Sequence, residues 1–378
     1  VTVGDVDNDG DPDLYVTNHG RDRLLLNRGD GGFDDVTSGW GIDVPGWSAS
    51  AAFLDFDADG WLDLYVVQYV HFDPDHRCFD RAGRPDYCGP KAFPPASDVL
   101  LRNDAGRGFI DVSARAGLQS VAGAGLGVAI DDYDDDGRID VYVANDAYAN
   151  QLWINQGDGT FRDRAIGFGV AFNLHGQAEA GMGVVSADFN RDARSDLVVT
   201  HLTAESNTLY QMLDTGLGFV DGTGAAGLAA PSMAYTGFGV SAFDIEHDGD
   251  LDLVIANGRV VRAEPDPQSV PPMPWARFVQ SNQVFLNDGR GVFTEAGAAV
   301  VVETGGDSTS VWVAVEDAGP GIPLAERDRV FQRFVRLDPA RDRGHGGSGL
   351  GLAIVAEFVR RQRGTIVITD PQAGATGT

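Results

Sequence analysis

The chain of 378 residues is long enough for two or three ordinary domains, or for one large repeat structure and an appendage. Its formal net charge of −28 speaks against nucleic acid as a partner, because phosphate recognition needs clustered Lys and Arg. No apolar run reaches the roughly 18 residues of a membrane span. The acidity is unevenly spread: residues 298–378 hold 9 Lys+Arg and 10 Asp+Glu, which leaves 19 against 46 for residues 1–297. The chain opens as Val1-Thr2-Val3, already inside a repeat, and reads as a fragment or a processed chain.

From the first residues onward one pattern recurs five times. The copies are Asp5-x-Asp7-x-Asp9-Gly10-x-x-Asp13, Asp55-x-Asp57-x-Asp59-Gly60-x-x-Asp63 and Asp132-x-Asp134-x-Asp136-Gly137-x-x-Asp140. Then come Asp188-x-Asn190-x-Asp192-Ala193-x-x-Asp196 and Asp244-x-Glu246-x-Asp248-Gly249-x-x-Asp252. Each copy runs into a short β-branched or aromatic stretch: DLYV, DLYV, DVYV, DLVV and DLVI. Oxygens at positions 1, 3 and 5 of a tight loop converge on one point, glycine at position 6 permits the sharp turn, and the carboxylate at position 9 closes the cage. Hard Ca²⁺ takes such oxygens in flexible geometry, whereas Mg²⁺ prefers to keep its waters. An EF-hand would place Glu at position 12 between helices, but these loops enter strands, so they are expected to be calcium loops on β-hairpins. The fourth copy is weaker: Asn190 removes a charge, Arg191 opposes the ion, and Ala193 must take a conformation that suits glycine. Glu246 in the fifth copy is longer but a usable ligand.

Two further phrases keep step with the loops. Small residues precede them, as Ser48-Ala49-Ser50, Gly125-Leu126-Gly127, Gly181-Met182-Gly183 and Gly237-Phe238-Gly239, and each is expected to be a strand. A hairpin of the form N-x-L-x-x-N-x-G-x-G-x-F follows, as from Asn150 to Phe161. Each period therefore holds about four short strands, the content of one propeller blade. On these motifs residues 1–297 resemble the FG-GAP/VCBS repeat proteins, the family of the integrin α-subunit propeller, and within it the cartilage acidic protein-like group. The resemblance implies an all-β, seven-bladed propeller with calcium in its loops, used for extracellular adhesion or ligand binding. About five blades are visible, which implies a truncated ring.

The spacing between the second and third copies leaves an insertion, residues 71–97, that holds both cysteines of the chain, Cys78 and Cys88. A disulfide between them would staple a long loop. The alternatives are a metal site with His71 and His76, or two free thiols. A disulfide together with calcium loops places the propeller in the periplasm or outside the cell. The tripeptide Arg28-Gly29-Asp30 reads as an ordinary hairpin turn, since the same turn recurs as NQGDGTF and NDGRGVF.

After Phe293 the phrasing changes. An alternating strand, 310–315, leads to Asp317-Ala318-Gly319-Pro320-Gly321. Then come Phe331-Gln332-Arg333-Phe334, a glycine-rich run to Leu352 that opens a helix, and a strand expected over 364–368. This segment, 298–378, resembles the ATP-binding domain of sensor histidine kinases, a GHKL-type α/β sandwich. The resemblance implies that Asp317 hydrogen-bonds adenine beside Gly319 and Gly321, and that Phe331 and Phe334 form the F box. It also implies that Gly347, Gly349 and Gly351 cradle phosphates of ATP with Mg²⁺. The sequence departs from that family upstream, where residues 282–289 are propeller hairpin instead of the Asn-bearing helix that holds Mg²⁺, and no phosphoacceptor helix precedes it. The segment is expected to be an incomplete, inactive ATP site, joined near residues 296–305.

Three functions follow in order of weight: a calcium-stabilised extracellular module that meets a protein or a glycan, a nucleotide-binding signalling protein, and a hydrolase using Asp pairs. The last lacks a Ser-His-Asp grouping or a Gly-x-Ser-x-Gly elbow.

Overall fold

The computed structural model describes residues 1–79, 83–213, 215–216, 218–260, 278–296, 300–306, 311–317, 322–327, 329–332, 356, 359–360 and 364–369, the strands 300–306 and 311–317 by backbone alone. The chain divides into two compact units, Val1–Ser241 with Ile255–Ser281, and Ala242–Val254 with Asn282–Thr378.

Each period folds into one four-stranded antiparallel sheet. The first holds Thr2–Gly4, Asp13–Val16, Arg23–Asn27 and Phe33–Asp35. In the second, Ser48–Leu54 and Asp63–Gln68 are followed by the insertion and then by Val99–Asn103 and Phe109–Asp111. The third comprises Gly125–Asp131, Asp140–Asn145, Gln151–Asn155 and Phe161–Asp163, and the fourth Val184–Ala187, Asp196–Val199, Thr208–Met212 and Phe219–Asp221. A fifth runs through Gly237–Phe243, Asp252–Asn257, Gln283–Asn287 and Phe293–Ala296. In the first four sheets the pairing places every Asp-rich loop at the same hairpin: Gly4 faces Asp13, Leu54 faces Asp63, Asp131 faces Asp140 and Ala187 faces Asp196.

The inner strands Asp63–Gln68, Asp140–Asn145, Gln151–Asn155 and Asp196–Val199 are buried on both faces, because alternate side chains pack against the sheets on either side. Tyr15, Leu24 and Val6 meet Leu64, Val66 and Phe109 between the first and second sheets. Tyr65 and Leu100 meet Val141 and Trp153 between the second and third. Tyr142 and Leu152 meet Leu197, Tyr210 and Phe219 between the third and fourth. The small residues have a steric cause. A β-carbon at Gly127 would stand 2.4 Å from the Met182 carbonyl oxygen, and one at Gly183 would stand 2.2 Å from that of Phe238. The expected strand at 181–183 is corrected: the strand begins at Val184. Gly181 instead donates to the Asn145 carbonyl (3.0 Å) before Met182 and Gly183 exchange backbone hydrogen bonds with Thr200 (2.9 Å each).

The insertion adds a two-stranded ribbon, Cys78–Phe79 with Pro85–Asp86, closed by a Cys78–Cys88 disulfide with Cα atoms 5.3 Å apart. Oxidised sulfurs cannot serve as thiolate ligands, so the expected alternatives of free thiols and of a metal site with His71 and His76 are corrected. Arg28-Gly29-Asp30 is a hairpin turn in which Arg28 N–H donates to the Gly32 carbonyl (3.0 Å) and Gly32 N–H to Asp30 Oδ1 (2.8 Å).

In the second unit, Val300–Gly306 pairs with Val311–Asp317. A 3₁₀ turn at Leu324–Glu326 precedes Phe331, and Ala356, Val359 and Arg360 are helical. Residues 364–369 lie outside any strand, which corrects the strand expected at 364–368. Arg327 ties this stretch in, donating from Nε to the Ile322 carbonyl (3.0 Å) and from Nη1 to that of Ile368 (3.3 Å).

Candidate metal centre

All five Asp-rich loops share one backbone. The first carboxylate folds it: Oδ1 of Asp5, Asp55, Asp132, Asp188 and Asp244 accepts the N–H of position 5, at 3.0–3.2 Å. Its Oδ2 accepts the N–H of position 6, at 2.7–3.0 Å. Position 6 is left-handed in every copy, with φ 93° at Gly10, 87° at Gly60, 82° at Gly137, 65° at Ala193 and 92° at Gly249. Position 4 is left-handed too, at Asn8, Ala58, Asp135, Arg191 and His247, which the sequence pattern does not announce.

The ninth residue does more than close a cage. Asp13, Asp63, Asp140, Asp196 and Asp252 are all buried. Oδ2 of each accepts the N–H of loop position 2, from Val6, Phe56, Tyr133, Phe189 and Ile245. Oδ1 accepts an N–H from the third strand, given by Asn27, Asn103, Asn155, Met212 and Asn287. The asparagines answer with their side chains. Asn103 Nδ2 donates to the Leu62 carbonyl (3.0 Å) and, in the neighbouring sheet, to that of Val6 (2.8 Å). Asn155 Nδ2 likewise reaches Ile139 (3.3 Å) and Phe56 (2.8 Å). The first three loops are thereby stitched into one row. At the other end of the third strand, Asp22, Asp98, Asn150 and Asn207 accept the N–H of Asn18, Gln68, Asn145 and His201. The hairpin phrase N-x-L-x-x-N contains both of these positions, but the spacing alone gives no sign that they clamp the loops.

Three loops gather carboxylates as one ion requires. Ligand atoms of Asp5, Asp7 and Asp13 lie within 4.8 Å of one another, as do those of Asp55, Asp57 and Asp63, and those of Asp132, Asp134 and Asp136. Oxygens held 2.3–2.6 Å from a central Ca²⁺ span about that distance. The fourth and fifth loops are not among such groups in the described residues. In the fourth, Asn190 Nδ2 donates to Asp192 Oδ2 (2.9 Å), turning an amide toward the carboxylates.

The electrostatics call for a cation. Burial, then repulsion from Asp13, Asp9 and Asp5, holds the Asp7 carboxyl above its ordinary range, opposed in part by the Asp9 N–H. Asp57 and Asp134 are raised in the same way. Burial pushes Asp63, Asp140 and Asp196 up to about 7, against the two backbone N–H groups that hold each one. Asp134 Oδ1 is buried and accepts no hydrogen bond. A divalent ion would satisfy that oxygen and neutralise the crowding, so the donor set fits calcium. Guanidinium groups stand beside two of the loops: Arg138 pairs with Asp136, and Arg102 Nη1 lies 4.0 Å from Asp57 Oδ2.

Of the residues expected around ATP, Asp317 ends the strand Val311–Asp317 and Phe331 lies in a turn, half-buried. Gly319, Gly321, Phe334, Gly347, Gly349 and Gly351 lie outside the described residues.

Known proteins divide along the same line. The FG-GAP-like repeat family matches residues 5–66 and 132–199, and the histidine kinase-, DNA gyrase B- and HSP90-like ATPase family matches residues 289–378. Cartilage acidic protein 1 of Mus musculus is 28% identical over 277 residues, which are 68% of this chain and 38% of that protein. Sensor histidine kinase CpxA of Escherichia coli is 34% identical over 107 residues, 28% of this chain and 23% of that one. Among solved structures, the Bacillus licheniformis rhamnogalacturonan lyase PL11 is 13% identical with a TM-score of 0.39, over 84% of this chain and 55% of that one. The chain thus spans well under half the length of either curated relative. It carries FG-GAP-like repeats in its N-terminal part and a histidine kinase-type ATPase segment at its C-terminal end.

Proposed function

We propose that residues 1–297 are blades of a calcium-binding β-propeller that works outside the cytoplasm as a module for meeting a protein or a glycan. The observation that carries this reading is the row of three loops. Each gathers three carboxylates within 4.8 Å, and in the third a buried Asp134 oxygen has no donor. The ions would be structural, cross-tying hairpins by binding only the folded state. A disulfide in the insertion and 28% identity to cartilage acidic protein 1 support an oxidising, calcium-rich compartment. Calorimetric titration of the calcium-stripped chain is expected to give three sites, with a rise in melting temperature on adding calcium. No heat of binding and an unchanged melting temperature would overturn the assignment.

The match over residues 289–378 supports a second role, nucleotide binding by the C-terminal segment 298–378, with Asp317 toward adenine. Phosphotransfer is not part of it, because Gln283–Asn287, just upstream, is a strand where that family needs its Mg²⁺-holding helix. Saturable ATP binding by the full chain, lost in Asp317→Asn, is the expected result. Binding that survives the substitution would remove Asp317 from the site.

A further inference from the structure

Between the second and third loops lies a cavity of about 480 Å³ that mixes both signs of charge. Three arginines line it, Arg102, Arg115 and Arg138, in a chain with twice as many acidic as basic residues. Asp57 and Asp158 line it as well, together with the apolar Phe56 and Val112. The hairpin glycine Gly157 makes room: Arg138 Cδ lies 3.2 Å from where a β-carbon there would stand. Two of the three arginines are engaged by carboxylates of the proposed calcium loops. Arg102 lies 4.0 Å from Asp57, and Arg138 pairs with Asp136 while its Nε donates to the Asn155 carbonyl (3.2 Å).

We propose that this cavity binds a sugar acid, a carboxylate- or sulfate-bearing sugar ring, and that calcium in the second and third loops frees Arg102 and Arg138 to hold its oxyanion. The inference rests on the calcium reading of those loops and deepens it by naming the ligand. The lining selects the class. Guanidinium forks match planar oxyanions, and the Asp158 carboxylate, which no calcium loop claims, can accept a hydrogen bond from a ring hydroxyl. The volume falls in the range of small-ligand sites. An acidic peptide would bring further carboxylates against Asp158 with few hydroxyls to offer it. The coupling follows from shared partners. An ion that takes Asp57 and Asp136 removes the internal partner of each arginine and adds positive charge beside the cavity. By linkage the sugar acid tightens calcium by the same factor.

The test is calorimetry on the full chain, stripped of calcium on a chelating resin and then saturated with it, at a temperature where circular dichroism shows both forms folded. D-glucuronate is the probe, with glucose, acetate and oligoglutamate beside it. With calcium, glucuronate is expected to bind about 10-fold tighter than without, within the range usual for coupled sites. Glucose and acetate are each expected to bind at least about 10-fold more weakly, as one lacks the charge and the other the ring. Arg115→Gln, which touches no loop carboxylate, should weaken glucuronate about 5-fold and leave the calcium titration unchanged. The double variant Arg102→Gln/Arg138→Gln should tighten calcium and abolish the coupling. Normal calcium binding with no glucuronate binding overturns the cavity assignment, and equal glucuronate affinity in both states overturns the coupling. Oligoglutamate binding tighter than glucuronate overturns the sugar. Absence of calcium binding would instead sink the calcium reading itself.

Discussion

The third and fourth sheets follow one plan and differ at a few residues, and those residues separate the folding of a loop from the gathering of its carboxylates. In both, the first carboxylate takes the same two N–H groups and the ninth pins the loop to the third strand. The third loop turns on Gly137 and brings Asp132, Asp134 and Asp136 together. The fourth turns on Ala193 and carries Asn190. Its Arg194 pairs with Asp135 of the third loop. Where Asn155 ties the third sheet to Phe56 of the second, the fourth has Met212, which has only its backbone N–H to give. The backbone of the motif is thus encoded by the aspartates at the first and ninth loop positions and by a left-handed sixth position, whereas the gathering of carboxylates follows the charge at the third.

Removing calcium should act on the third loop and spare the fourth. An ion at a hundred times its dissociation constant contributes about 2.7 kcal/mol, so losing three should lower the melting temperature on the order of 15 °C. Asp132→Asn/Asp134→Asn should abolish one site and about a third of that shift. Asp188→Ala should leave the calcium stoichiometry as it was, though the chain is weakened by two lost hydrogen bonds. A stoichiometry that falls in the fourth-loop variant would show that the loop holds an ion after all.

The next contrast compares the capping position of the third strand, Asn150 in the third sheet and Asp98 in the second. Burial pushes the Asp98 carboxyl up to about 7, against hydrogen bonds from Gln68 N–H (2.9 Å) and Tyr65 O–H (2.8 Å). A carboxyl raised on folding binds its proton more tightly in the native state. Its stabilising contribution is therefore full below about pH 4 and is lost as pH rises through about 7. Asp98→Asn puts the third sheet's residue in its place and should flatten this slope. The variant should gain up to about 4 kcal/mol over the parent near pH 8 relative to near pH 4. Urea unfolding at the two pH values, with calcium saturating, measures it. An unchanged slope would mean that Asp98 stays ionised in the fold.

How much of this was written plainly in the sequence depends on the kind of interaction. The five loops, their hairpins and the four-strand period follow from spacing, because side-chain alternation and turn chemistry act between near neighbours. The weakness of the fourth loop was legible for the same reason, and Ala193 does take φ 65°. The double use of Asp13, Asp63 and Asp140 was not, since their partners come from strands 14 to 40 residues away. Nor was the stitch from Asn155 to Phe56, 99 residues apart, which exists only once the sheets pack. The start of the fourth sheet at Val184 escaped because small residues there serve close approach between sheets, a tertiary demand that looks like a strand pattern.

Giving the third sheet the fourth's residue sharpens that last point. In Asn155→Met the backbone N–H still reaches Asp140, as Met212 reaches Asp196, so only side-chain bonds are lost: the stitch, and the one Oδ1 accepts from Gly157 N–H (3.0 Å). Two carbonyls, of Phe56 and Ile139, lose a buried donor, and the expected cost is about 2–4 kcal/mol in urea unfolding. A cost under about 1 kcal/mol would mean that packing between the sheets holds the row without it.

The smallest effect isolates the turn itself. A left-handed backbone costs a residue with a β-carbon about 1 kcal/mol relative to glycine. A β-carbon at Gly137 would meet nothing within 4 Å, so Gly137→Ala introduces that strain without a clash. It should therefore lose about 1 kcal/mol, and Ala193→Gly should gain about as much in the other loop. Because the turn and the carboxylate cluster are encoded apart, Ala193→Gly should not create a calcium site: Asn190 still replaces a carboxylate beside Asp192. A calcium titration of Ala193→Gly that shows a further site would place the defect of the fourth loop in its turn and not in its charges.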